Sequence, residues 1–230
     1  MLRFFISAGL ALLLGFTSQA QGITVSPLRL TVPEGGGVTA LTLGSSQSKP
    51  VTVQVRVMDW SQSDGEDVYA PAEDVVFTPE IFTLEAGQEQ VVRILMPAGS
   101  ETDAWRIFVD ELPATSSGDA PIASQLSMRM QYILPMFAMS PEETPTPIFS
   151  LNADEDPGKC EIEIANSGNG YLRLHGIAVL DETDTPMPVR PALAYILPSS
   201  TLDLTVASDC ANARQIQFAI DGASGTARLE

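Results

Sequence analysis

The sequence predicts an all-β protein built from two antiparallel β-sandwiches, and three observations support this fold class. Apolar residues recur at every second position in short runs, as in strands with one buried face. Turn residues separate these runs, consistent with 17 glycines and 17 prolines among 230 residues. No segment after residue 20 shows a sustained helical period.

The composition limits the functions that the chain can have. The 12 Lys and Arg residues against 29 Asp and Glu residues give a formal net charge of −17, which disfavours binding to nucleic acid or to an anionic membrane surface. The hydrophobic share of 44% and the charged share of 18% are those of a globular protein. One histidine and two cysteines provide few groups for catalysis. We therefore expect no metal, no cofactor and no enzymatic activity.

Residues 1–20 have the pattern of a secretory signal peptide. Arg3 supplies the positive charge, residues 6–16 are apolar, and Ser18 and Ala20 place small residues before a cleavage site after Ala20. The alternative is a membrane anchor, but the apolar run is short for a hydrocarbon layer of about 30 Å. The sequence therefore predicts an exported protein.

Export bears on the two cysteines, Cys160 and Cys210. In an oxidising compartment two cysteines in the same third of the chain favour a structural disulfide over reactive thiols. Such a bridge would stabilise the fold by roughly 4 kcal/mol in the chain-entropy model. We expect a Cys160–Cys210 disulfide.

The first sandwich is predicted over residues 21–140, and its strands follow in order. An early strand over residues 23–32 is interrupted at Pro27, which cannot donate a ladder hydrogen bond. Residues 34–37 form a glycine-rich turn. Further strands are expected at 38–43, 51–58, 82–84, 90–96 and 105–112.

A boundary is expected at residues 141–147, which are rich in proline and polar residues, as in a stiff linker. Beyond it lies a second, smaller β-sandwich over residues 148–230. Alternation predicts strands there at 160–164, 172–180, 192–197, 202–206 and 215–220.

One predicted strand is about twice as long as a typical strand of five or six residues. Its apolar face carries Ile122, Leu126, Met128, Met130 and Tyr132. Either this face packs in its own core, or its early half projects towards a partner that lacks a strand. Methionine suits the second interpretation because its flexible side chain adapts to different pockets. Periodicity alone does not distinguish the two.

Residues 79–94 closely resemble the signature of the periplasmic pilus chaperones, the PapD-like family. Trp60 and Gln62, together with the Leu-Pro-x-Phe run at 134–137, are more similar to the archaic branch of that family, which serves spore-coat-U-like subunits. Weaker similarity continues in the second half. The other matching segments, in the family's order, are 25–30, 53–60, 105–113, 166–170 and 195–198.

The resemblance implies two immunoglobulin-like domains set at an angle around a cleft, in a periplasmic chaperone. Its partners would be pilus subunits that lack their last strand and an outer-membrane usher that receives them. The strand lent to the subunit would be residues 122–132, whose apolar side chains enter the subunit groove. Without subunit, such a protein could associate with itself.

The resemblance also implies two cations that hold the subunit's C-terminal carboxylate. Arg29 matches the first by position. The family's second cation would fall near Met130, and Arg129 is the nearest candidate, although it lies on the opposite face of an ideal strand unless a bulge re-aims it. The resemblance would also pair Glu111 with a basic residue across the domain interface. In this sequence, however, the position of that basic residue is occupied by Leu134.

Two rival functions are a secreted adhesin or pilus structural subunit, and a hydrolase that uses paired carboxylates. The acidic segments 64–67 and 154–156 lack the ligand spacing of a calcium loop, and we expect them to be solvated loops. Residues 181–184 read as a hairpin turn. Trp60 and Trp105 are expected to pack in a core or beside the cleft.

Overall fold

A computed structural model describes residues 22–100, 102–113, 129–153, 160–189, 193–206, 213, 215–220 and 223–228. The predicted signal peptide lies outside these residues. Within them the structure contains strands throughout and no helix long and apolar enough to cross a membrane. The strands are β1 (Ile23–Ser26), β2 (Leu30–Pro33), β3 (Gly37–Ser45), β4 (Val51–Ser63), β5 (Glu66–Pro71), β6 (Val76–Thr78), β7 (Ile81–Leu84), β8 (Glu89–Met96), β9 (Ala104–Glu111), β10 (Gln131–Met139), β11 (Pro147–Ala153), β12 (Cys160–Asn166), β13 (Leu172–Leu180), β14 (Pro186–Pro188), β15 (Leu193–Ile196), β16 (Thr201–Val206), β17 (Gln215–Ile220) and β18 (Ala223–Arg228).

Strands β1 to β10 form two sheets that face each other. One has the order β1-β3-β8-β6, and the other has the order β2-β10-β9-β4-β5, with β7 also paired to β4. Side chains from both sheets fill a common core, including Leu41 and Ile94 from the first and Val53, Trp105 and Met136 from the second. The predicted all-β sandwich architecture is confirmed.

Strand β4 shows why period two identifies a half-buried strand. Val51, Val53, Val55 and Val57 are each 5% exposed or less, and the residues between them are partly exposed. Successive side chains of a strand point to opposite faces, so the four valines enter the same core. This part of the sequence prediction is confirmed.

The early strand that was predicted to break at Pro27 divides between the two sheets. β1 pairs antiparallel with β3, whereas β2 pairs parallel with β10, beginning at Leu30 opposite Met136. The segment that joins them therefore crosses from one sheet to the other. Arg29 lies in this crossing.

Strands β11 to β18 form a second pair of sheets. A three-stranded sheet has the order β11-β12-β16, and the other has the order β14-β13-β17-β18, with β15 also paired to β13. The core between them is built from aliphatic side chains such as Ile162, Leu174 and Ile216. The predicted turn at 181–184 is present, since Asp181 accepts hydrogen bonds from the backbone N–H groups of Thr183 and Thr185.

The segment between the two sandwiches is hydrogen-bonded to the second of them. The backbone N–H groups of Thr144 and Thr146 donate to Asn169 and to the buried Asn166, at 2.8 Å and 3.1 Å. A Cβ atom on Gly168 would collide with the Thr144 carbonyl oxygen, so this close approach requires glycine. The assignment of residues 141–147 as a linker remains a prediction.

Candidate functional site

A cleft lies where the two sandwiches meet, with a cavity volume of about 940 Å³. From the first sandwich it is lined by Arg29, Arg106 and Pro135, and from the second by Arg173 and Tyr195, among others. Three arginines in one cleft are notable because the whole chain has 12 Lys and Arg residues and a net charge of −17. The cleft therefore suits an anionic group.

Aromatic side chains join the two sandwiches beside this cleft. Phe137 from β10 stacks on Tyr171, with ring centroids 3.7 Å apart and an angle of 6° between the rings. Trp60 from β4 lies 5.7 Å from Phe137 and 6.1 Å from Tyr195, the second contact being edge-on. Each such pair contributes about 0.5–1.5 kcal/mol beyond its buried area. Trp60 thus packs at the interface and Trp105 packs in the first core, as predicted.

Gln62 adds two hydrogen bonds across the same interface. Its side-chain Nε2 donates to the carbonyl oxygen of Tyr195 at 2.9 Å, and its Oε1 accepts from the backbone N–H of Leu197 at 2.8 Å. Together these bonds hold one end of β15 against the end of β4. The amide therefore helps to set how the second sandwich lies against the first.

Asp67 carries the negative charge that pairs with Arg106 beside the interface residues Trp60 and Gln62. It accepts hydrogen bonds from Trp60 Nε1, Gln62 Nε2 and Tyr69 Oη, each at 2.9 Å, and Arg106 lies 3.4 Å away. Burial raises the pKa of Asp67, but the three hydrogen bonds and the Arg106 charge outweigh it, and the net pKa lies below the ordinary value. Asp64, Glu66 and Asp67 are exposed, as predicted, but Glu66 and Asp67 lie on strand β5 and not in a loop.

The turn that precedes Asp67 explains the error. Asp64 and Gly65 both have positive φ, 53° and 77°, as a two-residue type I′ hairpin turn requires. The turn reverses the chain and places β5 antiparallel to β4, so that Gln62 pairs directly with Asp67. The Asp-Gly pair was the available signal for this hairpin.

We expect the substitution Asp67→Asn to lower stability at neutral pH and to matter less in acid. Because the folded-state pKa of Asp67 lies below 3.8, the charged carboxylate stabilises the fold above that pH, and this contribution is lost as the pH falls through the lowered pKa. Urea unfolding at pH 7 and pH 3 measures the difference between variant and wild type. Asp64→Asn, in the adjacent exposed turn, is the matched control. An equal deficit for Asp67→Asn at both pH values would contradict the assignment.

Arg29 is exposed and lies in the cleft at the point where β2 begins to pair with β10. β2 covers the β10 edge from Met136 to Met139, whereas residues 131–135 of β10 pair only with β9. In the part of the chain that the structure describes, the second edge of residues 131–135 thus carries no strand. This open edge of β10, residues 131–135, ends beside Arg29.

The residues of the predicted donor strand are placed as follows. Tyr132 packs against the first core and donates its hydroxyl to the carbonyl of Ile23 at 2.7 Å. Met130 is 43% exposed, and it is not sealed in the core of its own sandwich. The remaining predicted residues, Ile122, Leu126 and Met128, lie outside the described residues.

The two predicted carboxylate anchors are not brought together. Arg129 is exposed and lines a separate depression with Arg56 and Asp110, outside the cleft that contains Arg29. Glu111, for which a partner across the domain interface was considered, is bonded within its own sandwich: its carboxylate accepts from Gln47 Nε2 at 3.3 Å and from the backbone N–H of Met130 at 3.5 Å. Gln62 makes the cross-domain hydrogen bonds instead.

Two further predictions concern groups that the structure does not bring into this site. Cys160 opens β12 and Cys210 lies outside the described residues, so the disulfide remains a prediction. Among the described residues, no three His, Cys, Asp or Glu side chains are grouped so that they could hold a metal ion.

Two cleft arginines received no role from the sequence. Arg106 was noted only within a matching run, yet its guanidinium lies 3.6 Å from the centre of the Trp60 ring and pairs with Asp67. Arg173 lies on β13, where its Nε donates to the hydroxyl of Tyr195 at 3.2 Å. Its position on an alternating strand gives no sign that it faces the other sandwich.

The fold and the cleft define a class of protein: two β-sandwiches with an arginine-lined cleft between them and an open strand edge leading into it. The family model described as the pili and flagellar-assembly chaperone, PapD N-terminal domain, matches residues 22–144, which is more than half of the chain. The chain belongs to this family of pilus-assembly chaperones, and its fold is the two-domain immunoglobulin-like fold of that family.

Solved structures share the fold at low sequence identity. One is the CsuC–CsuE chaperone–tip adhesion subunit pre-assembly complex from archaic chaperone–usher Csu pili of Acinetobacter baumannii, with a TM-score of 0.67, 21% identity, and coverage of 90% of this chain and 98% of that chain. Another is the Salmonella enterica SafA pilin in complex with the SafB chaperone, with a TM-score of 0.63, 17% identity, and coverage of 92% and 98%. A third is the Pseudomonas aeruginosa CupB2 chaperone, with a TM-score of 0.55, 16% identity, and coverage of 90% and 100%. A search of the curated proteins finds no match.

Proposed function

We propose that this protein is a periplasmic chaperone of a chaperone–usher pathway, which binds pilus subunits by donor-strand complementation. It captures a subunit whose sandwich lacks a strand, lends its own residues 122–132 to fill the gap, and delivers the subunit to an outer-membrane usher. The observation that carries the proposal is the open edge of β10, which runs into the cleft and ends beside Arg29.

The open edge provides the main-chain part of the interaction. An unpaired strand edge is a template for pairing with another chain, and the hydrogen bonds so formed do not depend on sequence. Ile133, on this edge, is 43% exposed, and Leu28, which lines the cleft beside it, is 67% exposed. A bound strand would cover both side chains.

The donated side chains provide the specificity. Leu134 and Met136 are buried, and Tyr132 packs against the same core, so this face of β10 belongs to the first sandwich. Because successive side chains of a strand alternate between its faces, the same face would continue towards the N terminus through the exposed Met130 to Met128 and Leu126. In an extended strand these side chains would continue the row into the groove of a subunit. Each buried side chain would contribute about 1.5–3 kcal/mol before ordering costs.

The cleft would hold the end of the subunit chain. A guanidinium binds a carboxylate through two parallel hydrogen bonds, and Arg29 lies where a strand added to β10 would end. A carboxylate there would also lie in a cleft lined by three of the 12 Lys and Arg residues of a chain whose net charge is −17. Arg29 would therefore be the anchor for the subunit's C terminus.

Other observations support a periplasmic location and membership of the archaic branch. The predicted signal peptide at residues 1–20 would send the protein to the periplasm. Trp60 and Gln62, the residues that resemble the archaic branch, hold the two sandwiches together here. The structural likeness to a complex from archaic chaperone–usher pili is in keeping with this branch. We infer an archaic chaperone, with spore-coat-U-like subunits as partners.

Co-expression with the pilus subunit of its own gene cluster tests the proposal. We expect the chaperone to co-purify with that subunit in an equimolar complex. We expect it not to capture the same subunit when the missing strand is supplied by a fused N-terminal extension of the next subunit, because the groove is then filled. Equal capture of both forms would reject donor-strand complementation, whereas a subunit that is stable and monomeric alone would reject the need for a chaperone.

A further inference from the structure

We propose that Met130 is a reversible oxidation site that controls the capture of a subunit. A peroxide converts its thioether to a sulfoxide, and the oxidised strand no longer fits the groove of the subunit. The inference rests on the proposed function, because Met130 belongs to the residues that would be donated. It goes beyond that function by naming a modification that turns it off. The exposure of Met130, its backbone contacts and its place on the strand carry the inference.

The side chain of Met130 is open to solvent. It is 43% exposed, whereas Met96 and Met136 are 2% and 0% exposed. It also lines the depression that contains Arg129. A sulfur atom is oxidised only where the oxidant can reach it, so an exposed methionine reacts before a buried one. Among the residues that the structure describes, Met130 is therefore the methionine most open to oxidation.

The backbone of Met130 is held independently of its side chain. The backbone N–H of Glu111 donates to the carbonyl oxygen of Met130 at 3.1 Å, and the Glu111 carboxylate accepts from the backbone N–H of Met130 at 3.5 Å. Neither hydrogen bond uses the thioether. Oxidation therefore leaves the strand in place at this point and changes only what the side chain can contact.

The oxidation transfers one oxygen atom from hydrogen peroxide to the sulfur of Met130. An S–O bond forms as the O–O bond breaks, and the sulfur loses two electrons. The second oxygen takes the proton of the transferred hydroxyl group and leaves as water. Methionine sulfoxide reductases, one enzyme for each sulfoxide epimer, reverse the change. In the reverse step two thiols become a disulfide, and the oxygen atom leaves as water.

The sulfoxide is unsuited to an apolar groove. Tyr132, two residues later on the same face, packs against the core of the first sandwich, so Met130 is the first residue of this face that a subunit would cover. Its flexible apolar side chain becomes polar when the sulfur is oxidised. A sulfoxide oxygen that is buried without a hydrogen-bond donor costs free energy, and this cost arises only in the complex.

Met139 provides a comparison within the same strand. It is 39% exposed, close to the value for Met130. It pairs with Pro33 of β2, however, at the end of β10 that β2 already covers. A peroxide should therefore oxidise both methionines, but only the sulfoxide at Met130 should affect capture.

A peroxide experiment on single methionines tests the inference. All chaperone variants carry Met128→Leu, so that Met130 is the one methionine left in residues 122–132. Each variant is treated with hydrogen peroxide and then with catalase, so that the subunit itself is not oxidised. Denatured pilus subunit is diluted into the treated chaperone, and the soluble complex is measured by size-exclusion chromatography. Mass spectrometry locates the sulfoxides, and thermal unfolding reports on the fold.

We expect oxidation to lower capture about tenfold relative to the untreated form of the same variant, as for one polar group buried without a partner. The two reductases, supplied with a dithiol, should restore capture. Adding Met130→Leu should remove the sensitivity to peroxide, whereas adding Met139→Leu should leave it. In the complex formed before treatment, Met130 should be oxidised more slowly than in the free chaperone, and Met139 at an unchanged rate.

Four outcomes would overturn the inference. The first is full capture by a chaperone that carries the sulfoxide at Met130, and the second is equal sensitivity after Met130→Leu. The third is loss of the sensitivity after Met139→Leu. The fourth is a matching drop in the unfolding temperature of the oxidised chaperone, because the loss would then be one of folding. If the untreated chaperone captures no subunit, the proposed function fails, and this regulation fails with it.

Discussion

The substitution Arg29→Ala is expected to abolish retention of the pilus subunit while the chaperone stays folded. Arg29 is exposed in the free protein, and substitutions at such positions usually change stability by less than about 0.5 kcal/mol. In the complex its loss would leave a carboxylate without its anchor, which costs about 3–5 kcal/mol for a buried pair. This corresponds to more than about a hundredfold in affinity. Co-purification of the subunit, together with thermal unfolding of the free chaperone, measures both effects.

The matched control is Arg93→Ala, which removes the same charge from an exposed position on β8 that does not line the cleft. It should retain the subunit as the wild-type protein does. If Arg29→Ala retains the subunit as well as this control does, Arg29 is not the anchor. If both variants lose the subunit, the loss is caused by the change in net charge and not by the loss of the carboxylate site.

The paired substitution Leu126→Asp and Met128→Asp is expected to remove subunit binding completely. Each aspartate would replace an apolar side chain that, as a donated residue, would contribute about 1.5–3 kcal/mol in the groove. Each would also place an unpaired carboxylate in an apolar pocket, at a cost that exceeds the lost transfer energy. Subunit recovery after co-expression and the amount of aggregated subunit are the measurements.

Ser127→Asp is the control for this pair, because period two would place Ser127 on the opposite face of the proposed donor strand. It adds a similar charge without entering the groove, and it should leave binding nearly unchanged. Loss of binding in Ser127→Asp alone, with binding retained in the paired variant, would show that the other face of the strand is the one donated.

The clearest signals in the sequence came from strands in which one face is buried. The valines of β4 alternate with partly exposed residues, and Pro27 interrupts the first strand where the chain moves from one sheet to the other. Both signals are local, so they can be recognised without knowing the rest of the fold. β5 gave no such signal because every residue from Glu66 to Pro71 is exposed.

The site was only partly predictable for a related reason. Arg29 could be proposed from its position in a family motif, but the environment of Asp67 depends on a hairpin and on Arg106 from another strand. Arg173 joins the cleft only through the packing of one sandwich on the other. Such contacts join residues far apart in the chain, and neither period nor composition encodes them.

The short parallel strand β2 has a consequence for which partners can bind. From Met136 onwards β2 occupies the edge of β10, so an added strand whose end carboxylate meets Arg29 can advance no further. That strand would run in the same direction as β10, and β2 would continue its line. This barrier would fix the register of the added strand. The register matters because a slip of one residue turns every side chain of a strand to the other face. The protein would thereby select partners whose final strand presents the matching face when its end carboxylate lies at Arg29.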